Sequence, residues 1–590
     1  MNLKNAVKSF LEEGCKELRY SNETAEREES TGKFEGRSLK TGQIPYNMQM
    51  DIDRKCFTLA LERFLDSGTA RDAFDVYFCF IEMFLTGYEK TSAMIELLSE
   101  YESNTSNVVM KHRDHYSHSV YVFALGLAVY GTNEDYRMIY EGFYNLSDTR
   151  AAAHHFLKYW GITSLFHDIG YPFELPFEQV EAYFESNRQK RAGKPFIAYR
   201  GLDEYKRLSE YSKKKIATVY GGKDAIFENT DEFFAYAISQ RLADTYVFSE
   251  KYMKQTLSDK PEHPEKFSYF MDHAYFSALI LFKKLYEELE LDISMADIDV
   301  LSAILIHNSL YKFNIAYYKD DKLNKPFDAG LHPLAYMLML CDELQCWDRT
   351  AYGRTTRSKL YPMDCDFDFQ SEGINICFLY DEKESSKADS ISEMRAAPGE
   401  KCRFHQELDT IVDTSMLRLK ISAEFAPYRR SRKRTYLSDS DFLHLYYFAV
   451  ALNGRYGGTE DCEQAFKELS LEYKLSNINQ AKSFDVYLNK IGAFYTDRPV
   501  DFPELEDFTS EELELIGRLE HDRWCEEHRD MGWTYGLAKD KDERELKRIH
   551  KDMVPYEELD ETDREKDRFP MLEMLKLLRK YDGVRIYRLE

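Results

Sequence analysis

The stretch SLFHDIGYPFE, residues 164–174, poses the first question about this chain. His167 and Asp168 stand side by side at the end of an apolar run, and a Gly-Tyr-Pro break follows at once. Taken alone, the pair reads as an imidazole and a carboxylate hydrogen-bonded near a helix end. Metal ligation needs several neutral imidazoles and carboxylates converging on one point. The pair therefore gains chemistry only if other helices bring matching groups.

Such groups recur. KHRDHYSHSVYVFALGLAVYG (111–131) holds His112, His115 and His118, and the run after His118 is almost wholly apolar. MDHAYFSALILFKKL (271–285) opens an apolar helix with His273, and LSAILIHNSLYKF (301–313) closes one with His307. PLAYMLMLCDELQCWDRT (333–350) sets Asp342 in the middle of a helix that is hydrophobic up to that point. Each alone reads as a satisfied core polar group. A buried charge such as Asp342 is costly unless paired or metal-bound, and five apolar helices each presenting a His or Asp at the inner end form a coherent ligand set.

The order His118, His167-Asp168, Asp342, with the flanks HSVYVFALG, LFHDIGYPFE and LMLCDELQCWDR, resembles the HD-domain superfamily of metal-dependent phosphohydrolases over roughly residues 100–355. The resemblance implies that His118, His167, Asp168 and Asp342 ligate one ion. His273 and His307 match the extra histidines of the two-metal branch, in which the aspartate of the pair bridges both ions. The implied cofactor is one or two divalent ions, with Mn, Mg, Co, Fe and Zn not distinguished. Catalysis falls to Asp168, with His115 as the candidate general acid. Many HD-type deoxynucleotide triphosphohydrolases read HDxGHPPFGH at this turn. Here Tyr171 takes the first extra histidine position and no histidine follows until His263, which favours the two-metal arrangement. The same six-ligand order also occurs in mixed-valent di-iron oxygenases of this fold.

Composition bounds the rest. The chain has 590 residues, enough for about three or four domains. Hydrophobic residues make up 43% and aromatics 15%, which supports real cores and excludes a disordered chain. A net charge of −25 repels long nucleic acid, while a small phosphate ligand stays compatible through metal ions and local arginines. Ten cysteines without a CxxC pair point to reduced thiols of a cytoplasmic protein, not to a zinc ribbon or a redox motif. The N-terminal stretch carries charges throughout and lacks a signal-peptide core, and no apolar run is long enough to span a membrane.

The expected fold is mainly α: an HD-type helical bundle, a small antiparallel β insertion and a small α-rich C-terminal domain. Residues 1–100 read as an N-terminal helical region with a mobile arm, 101–360 as the HD domain, and 361–500 as a β-hairpin with a helical extension. DCDFDFQSEGINICFLYDE (364–382) and SMLRLKISAEFAP (415–427) alternate as strands do. The basic run YRRSRKR (428–434) reads either as a solvated loop or as a phosphate-binding edge built on Arg429, Arg430 and Arg432. DRPVDFPELEDF (497–508) reads as a linker.

In the last segment, LEHDRWCEEHRDMGWTYG (519–536), then His550 followed by VPYEEL and EKDR, resembles the ryanodine-receptor repeat (RyR) domain over about residues 505–590. The resemblance implies a sensor for a nucleotide-type ligand. Arg523, Trp524, Trp533, Tyr535 and Lys566 supply cations and flat rings suited to phosphate and base. The expectation is a nucleotide phosphohydrolase, favoured as a deoxynucleoside triphosphohydrolase that depletes nucleotides in anti-phage defence under nucleotide control. The alternatives are a phosphodiesterase of cyclic or oligonucleotide messengers and a non-enzymatic metal or nucleotide sensor. The resemblance also implies a homo-oligomer, with a partner defence protein as a further expectation.

Overall fold

A computed structural model describes residues 1–14, 46–85, 90–108, 115–174, 202–222, 227–242, 272–308, 326–347, 362–383, 408–427, 442–496, 499–580 and 584–589. The chain is mainly helical with small sheets, as its periodicity predicts. Its packing divides into two units. One comprises residues 1–16, 65–73 and 100–431, and the other 17–64, 74–99 and 432–590. The segment 361–500, read from sequence as one extension, is thus shared between them.

Five helices make the core of the first unit: α1 (His115–Thr132), α2 (Thr149–Leu165), α3 (His273–Phe282), α4 (Met295–Ile306) and α5 (Pro333–Leu344). Every residue of α1 from His115 to Tyr130 is buried, as expected for a helix apolar on all sides. It packs on α2 and α5, and α4 closes the ring by packing on α2, α5 and α3. The starts of these helices are fixed by local chemistry. Asp148 caps α2 and Asp272 caps α3, while Ser294 and Asp297 form a capping box on α4. The His332 imidazole accepts from the Ala335 N–H at the start of α5, where Pro333 takes the first helical position. Trp160 of α2 presses on Gly126 of α1 and donates to the Phe123 carbonyl at 2.9 Å.

Helix α5 ends at Leu344, so Asp342 lies in its last turn and not in the middle of a longer helix. Gln345 leaves the helical region (ψ 73°), and its side chain is drawn elsewhere. Beyond it, β1 (Asp364–Gln370) and β2 (Gly373–Asp381) pair as an antiparallel hairpin. The third strand, β3 (Lys420–Ala426), joins β2 in parallel, so the sheet is mixed where an antiparallel one was expected. The long connection 382–419 allows this, because a parallel pair needs a crossover of a dozen or more residues.

The second unit contains α6 (Phe442–Gly457), α7 (Leu471–Lys490), β4 (Ala493–Thr496), α8 (Ser510–Asp530), β5 (Thr534–Tyr535), β6 (Ile549–His550), α9 (Glu561–Lys580) and β7 (Arg585–Arg588). Two expectations change here. Gly492 (φ 68°) ends the helical run, so 493–496 is a strand paired with β7 and not the continuation of a helix. The expected linker is also part of the fold. Leu505 is buried and its N–H donates to the Ile586 carbonyl, while the Arg588 N–H donates to the Pro503 carbonyl. One core joins Leu445, Phe448 and Leu452 of α6, Phe484 and Leu488 of α7, and Ile516, Met574 and Leu575 of α8 and α9. Two buried ion pairs tie α7 to earlier residues of the same unit: Lys474 with Glu82 at 2.8 Å, and Lys482 with Asp75. Among the described residues, no helix is long and apolar enough to cross a membrane.

Candidate metal centre and C-terminal module

The six residues expected from sequence as ligands come together. His118 sits in the first turn of α1, His167-Asp168 in the turn after α2, His273 at the start of α3, His307 at the end of α4, and Asp342 in the last turn of α5. His118 Nε2 lies 3.1 Å from Asp342 Oδ1, 3.3 Å from His167 Nε2 and 3.7 Å from Asp168 Oδ2. On the other side, His273 Nε2 lies 3.2 Å from His307 Nε2 and 3.5 Å from Asp168 Oδ1. By these distances the groups fall into two lobes, His118–His167–Asp342 and Asp168–His273–His307, with Asp168 facing both. The triads compact enough to hold an ion are His118–His167–Asp342, His167–Asp168–His307 and Glu174–Asp272–His273.

Gly170 makes this convergence possible. A Cβ there would lie 2.4 Å from the His273 carbonyl oxygen and 2.4 Å from the Ser277 nitrogen, so only glycine lets the turn rest on the backbone of α3. The Gly170 N–H donates to Ser277 Oγ at 2.8 Å.

The imidazoles are oriented from behind. His167 Nδ1 donates to the Ser164 carbonyl at 2.7 Å, and His307 Nδ1 donates to the Ile304 carbonyl at 2.5 Å. His118 Nδ1 meets Gln345 Oε1 at 2.6 Å, and His273 Nδ1 meets Glu174 Oε2 at 2.5 Å. The oxygens of Ser164, Ile304 and Gln345 only accept, so on His167, His307 and His118 the proton sits on Nδ1 and the Nε2 lone pair points inward. Donors 2.1 Å from one ion at octahedral or tetrahedral angles are about 3.0–3.4 Å apart, which matches most of the spacings here. The donor set suits divalent ions of the imidazole-and-carboxylate class.

Charge in the cluster is strongly shaped by its neighbours. Burial opposes ionisation of Asp168, but His167, His115 and His273 outweigh it and hold the carboxyl well below its usual range. Burial also opposes charge on His273, yet Glu174, Asp168 and Asp272 lift its pKa to about 10. His307, buried beside His273 and His167, is pushed down to about 4. His115 Nδ1 lies 3.4 Å from Asp168 Oδ2, and its ring packs 4.4 Å from that of Tyr171. His115 is buried against Asp168. Gln345 and Glu174 were not anticipated as participants. Each lies in a stretch quoted for a different group, Glu174 beside His167-Asp168 and Gln345 beside Asp342, while the histidines they back, His273 and His118, stand on other helices.

In the second unit, Arg523 is committed to carboxylates of its own helix. It binds Glu520 in a two-pronged pair (2.9 and 2.5 Å) and Glu527 at 2.5 Å. Trp533 is 2% exposed and donates to Glu472 Oε1 at 2.8 Å, with the Arg548 guanidinium over its ring. Residues 495–586 match the family model of the RyR domain. No curated protein and no solved structure matches the chain.

The five residues expected to bind a ligand do not form one surface of the RyR domain. Arg523 and Trp533 hold its interior together, whereas Tyr535 is 59% exposed. Trp524 is half-buried, packed against His528 (4.0 Å) and His550 (5.0 Å). Lys566 is half-exposed and pairs with Asp563 and Asp552. A cleft in the same unit is lined by Cys56, Arg63, Asp75, Glu472, Glu527 and His528. Each of its carboxylates is already paired, with Lys482, Arg548 or Arg523, so the lining does not favour a phosphate. Arg429, Arg430 and Arg432, together with His112, lie outside the described residues.

Proposed function

We propose that this chain is an HD-type metal-dependent phosphohydrolase of nucleotides, with its RyR domain as a regulatory module. One observation carries the reading: the four histidines and two aspartates picked out from sequence lie together, with Asp168 within 3.7 Å of His118 on one side and 3.5 Å of His273 on the other. His118, His167, Asp168 and Asp342 would hold one ion, and Asp168, His273 and His307 a second. Divalent ions held there would supply a bound water of lowered pKa and a contact for a phosphate oxygen.

The protein's own part is to aim the imidazole lone pairs through the Nδ1 anchors and to keep Asp168 ionised between the lobes. Partial exposure of Asp342 (19%) and His273 (12%), against 1% or less for His118, His167 and His307, gives the cluster one more open side for a substrate phosphate. His115, against Asp168, is the group placed to hold a proton for a leaving oxygen.

We take a deoxynucleoside triphosphate as the favoured substrate, with depletion of the nucleotide pool in anti-phage defence as the outcome. The test is a panel of NTPs, dNTPs and cyclic dinucleotides, singly and in pairs, with Mn²⁺, Mg²⁺ or Co²⁺ and an Asp168→Ala control. A dNTP cleaved to nucleoside and triphosphate by the wild type alone supports the reading. Cleavage of a cyclic substrate alone moves the protein to messenger turnover. No hydrolysis with metal demonstrably bound turns it into a sensor.

A further inference from the structure

We infer that Glu174 is a positioning residue that sets the strength of one metal position independently of the other. The inference rests on reading the cluster as a two-ion centre. Of the four inward-facing imidazoles, three are backed by neutral oxygens: the carbonyls of Ser164 and Ile304 and the amide of Gln345. His273 alone is backed by a carboxylate. Glu174 Oε2 meets His273 Nδ1 at 2.5 Å and accepts the His273 backbone N–H at 2.8 Å. The same oxygen therefore fixes the ring and the first turn of α3 together.

The neighbouring Asp272 does not share this task. Its Oδ1 stands 3.6 Å from His273 Nδ1 and is engaged with the Ala274 N–H (2.9 Å) and Asn308 Nδ2 (3.1 Å), as a helix cap. Glu174 is brought over the start of α3 by the turn at Gly170 and by Phe173, whose ring stacks 4.7 Å from Phe276. A carboxylate on Nδ1 draws the proton outward and makes Nε2 a stronger donor than a neutral acceptor does. The lobe built on His273 and His307 therefore depends on Glu174, while the lobe built on His118 and His167 depends on Gln345 and the Ser164 carbonyl.

Calorimetric Mn²⁺ titration and Mn²⁺ EPR of the full chain test this, with the wild type, Glu174→Gln and Glu174→Ala. Two ions are expected in the wild type, with the exchange-coupled spectrum of a bridged pair. Glu174→Gln should keep one ion at wild-type affinity and bind the other roughly 10–100-fold more weakly, with the coupled spectrum replaced by that of an isolated ion. The metal-free melting temperature should stay near that of the wild type. Both variants binding two ions as tightly as the wild type would overturn the inference, as would loss of both ions in parallel. A wild type that binds no Mn²⁺ sinks the two-ion reading itself, before Glu174 is in question.

Discussion

Gly170→Ala is the smallest change that should dismantle the centre. The position has no left-handed backbone demand, so space alone decides. The new Cβ would stand 2.4 Å from two backbone atoms of α3, His273 O and Ser277 N, and 2.7 Å from Phe276 Cβ. Ordinary contact begins at 3.4 Å, so the turn must back away by about 1 Å. Neither backbone atom can yield, because both belong to the first turns of a packed helix. The turn carries Asp168 directly, and the Gly170–Ser277 hydrogen bond breaks as it moves.

Overpacking of this kind costs about 1–3 kcal/mol, a drop of a few degrees in melting temperature. A 1 Å misplacement of a reacting group can cost about 100-fold in rate. Thermal melts, Mn²⁺ titration and hydrolysis should be read side by side, with Gly142→Ala as the control, since nothing lies within 4 Å of a Cβ there. Gly142→Ala should be neutral or slightly stabilising. Wild-type melting and wild-type Mn²⁺ affinity in Gly170→Ala would refute the packing argument.

Other outcomes follow from the second unit. Lys474→Met leaves the buried Glu82 with only Thr91 Oγ1 as a neutral donor among its resolved hydrogen bonds, and should cost about 3–5 kcal/mol in urea unfolding. The double variant Lys474→Met/Glu82→Met should lose much less. Trp533→Phe removes a hydrogen bond from the half-buried Glu472 while keeping most of the ring volume, so about 1–3 kcal/mol is expected by the same method. Burial holds the pKa of His528 down at about 3. The unfolded chain takes up that proton near pH 6.5 and the native chain does not, so this residue costs stability as pH falls below about 6.5. Melting profiles between pH 7.5 and 5 should fall less steeply for His528→Gln than for the wild type, and equal slopes would remove His528 as the cause.

The cluster of histidines and aspartates was legible in the sequence because a His or Asp at the end of an apolar helix conflicts with its surroundings, and five such conflicts in order point to one place. Its supporting groups were harder to see. Glu174 and Gln345 are ordinary polar residues until the turn and the end of α5 place them behind an imidazole. The C-terminal motifs were read correctly as a module but not as a surface. Arg523 and Trp533 stand out in the sequence for the reason that they hold an interior together, and composition cannot tell an interior arginine bound to two glutamates from one waiting for a phosphate. The strand at 493–496 was hidden because Gly492 alone marks the change of period. The parallel third strand was hidden because alternation says nothing of direction.

The second unit also has a history in time. Its residues come from stretches far apart in sequence, 17–64 and 74–99 first and 432–590 later, with roughly 330 residues made in between. At about 5–20 residues per second, the early helices leave the ribosome tens of seconds before α7 brings Lys474 and Lys482 to meet Glu82 and Asp75. During that interval two carboxylates and an apolar face await partners that do not yet exist. Synthesis of α7, just before the RyR domain, is therefore what gives Glu82 and Asp75 their buried cations.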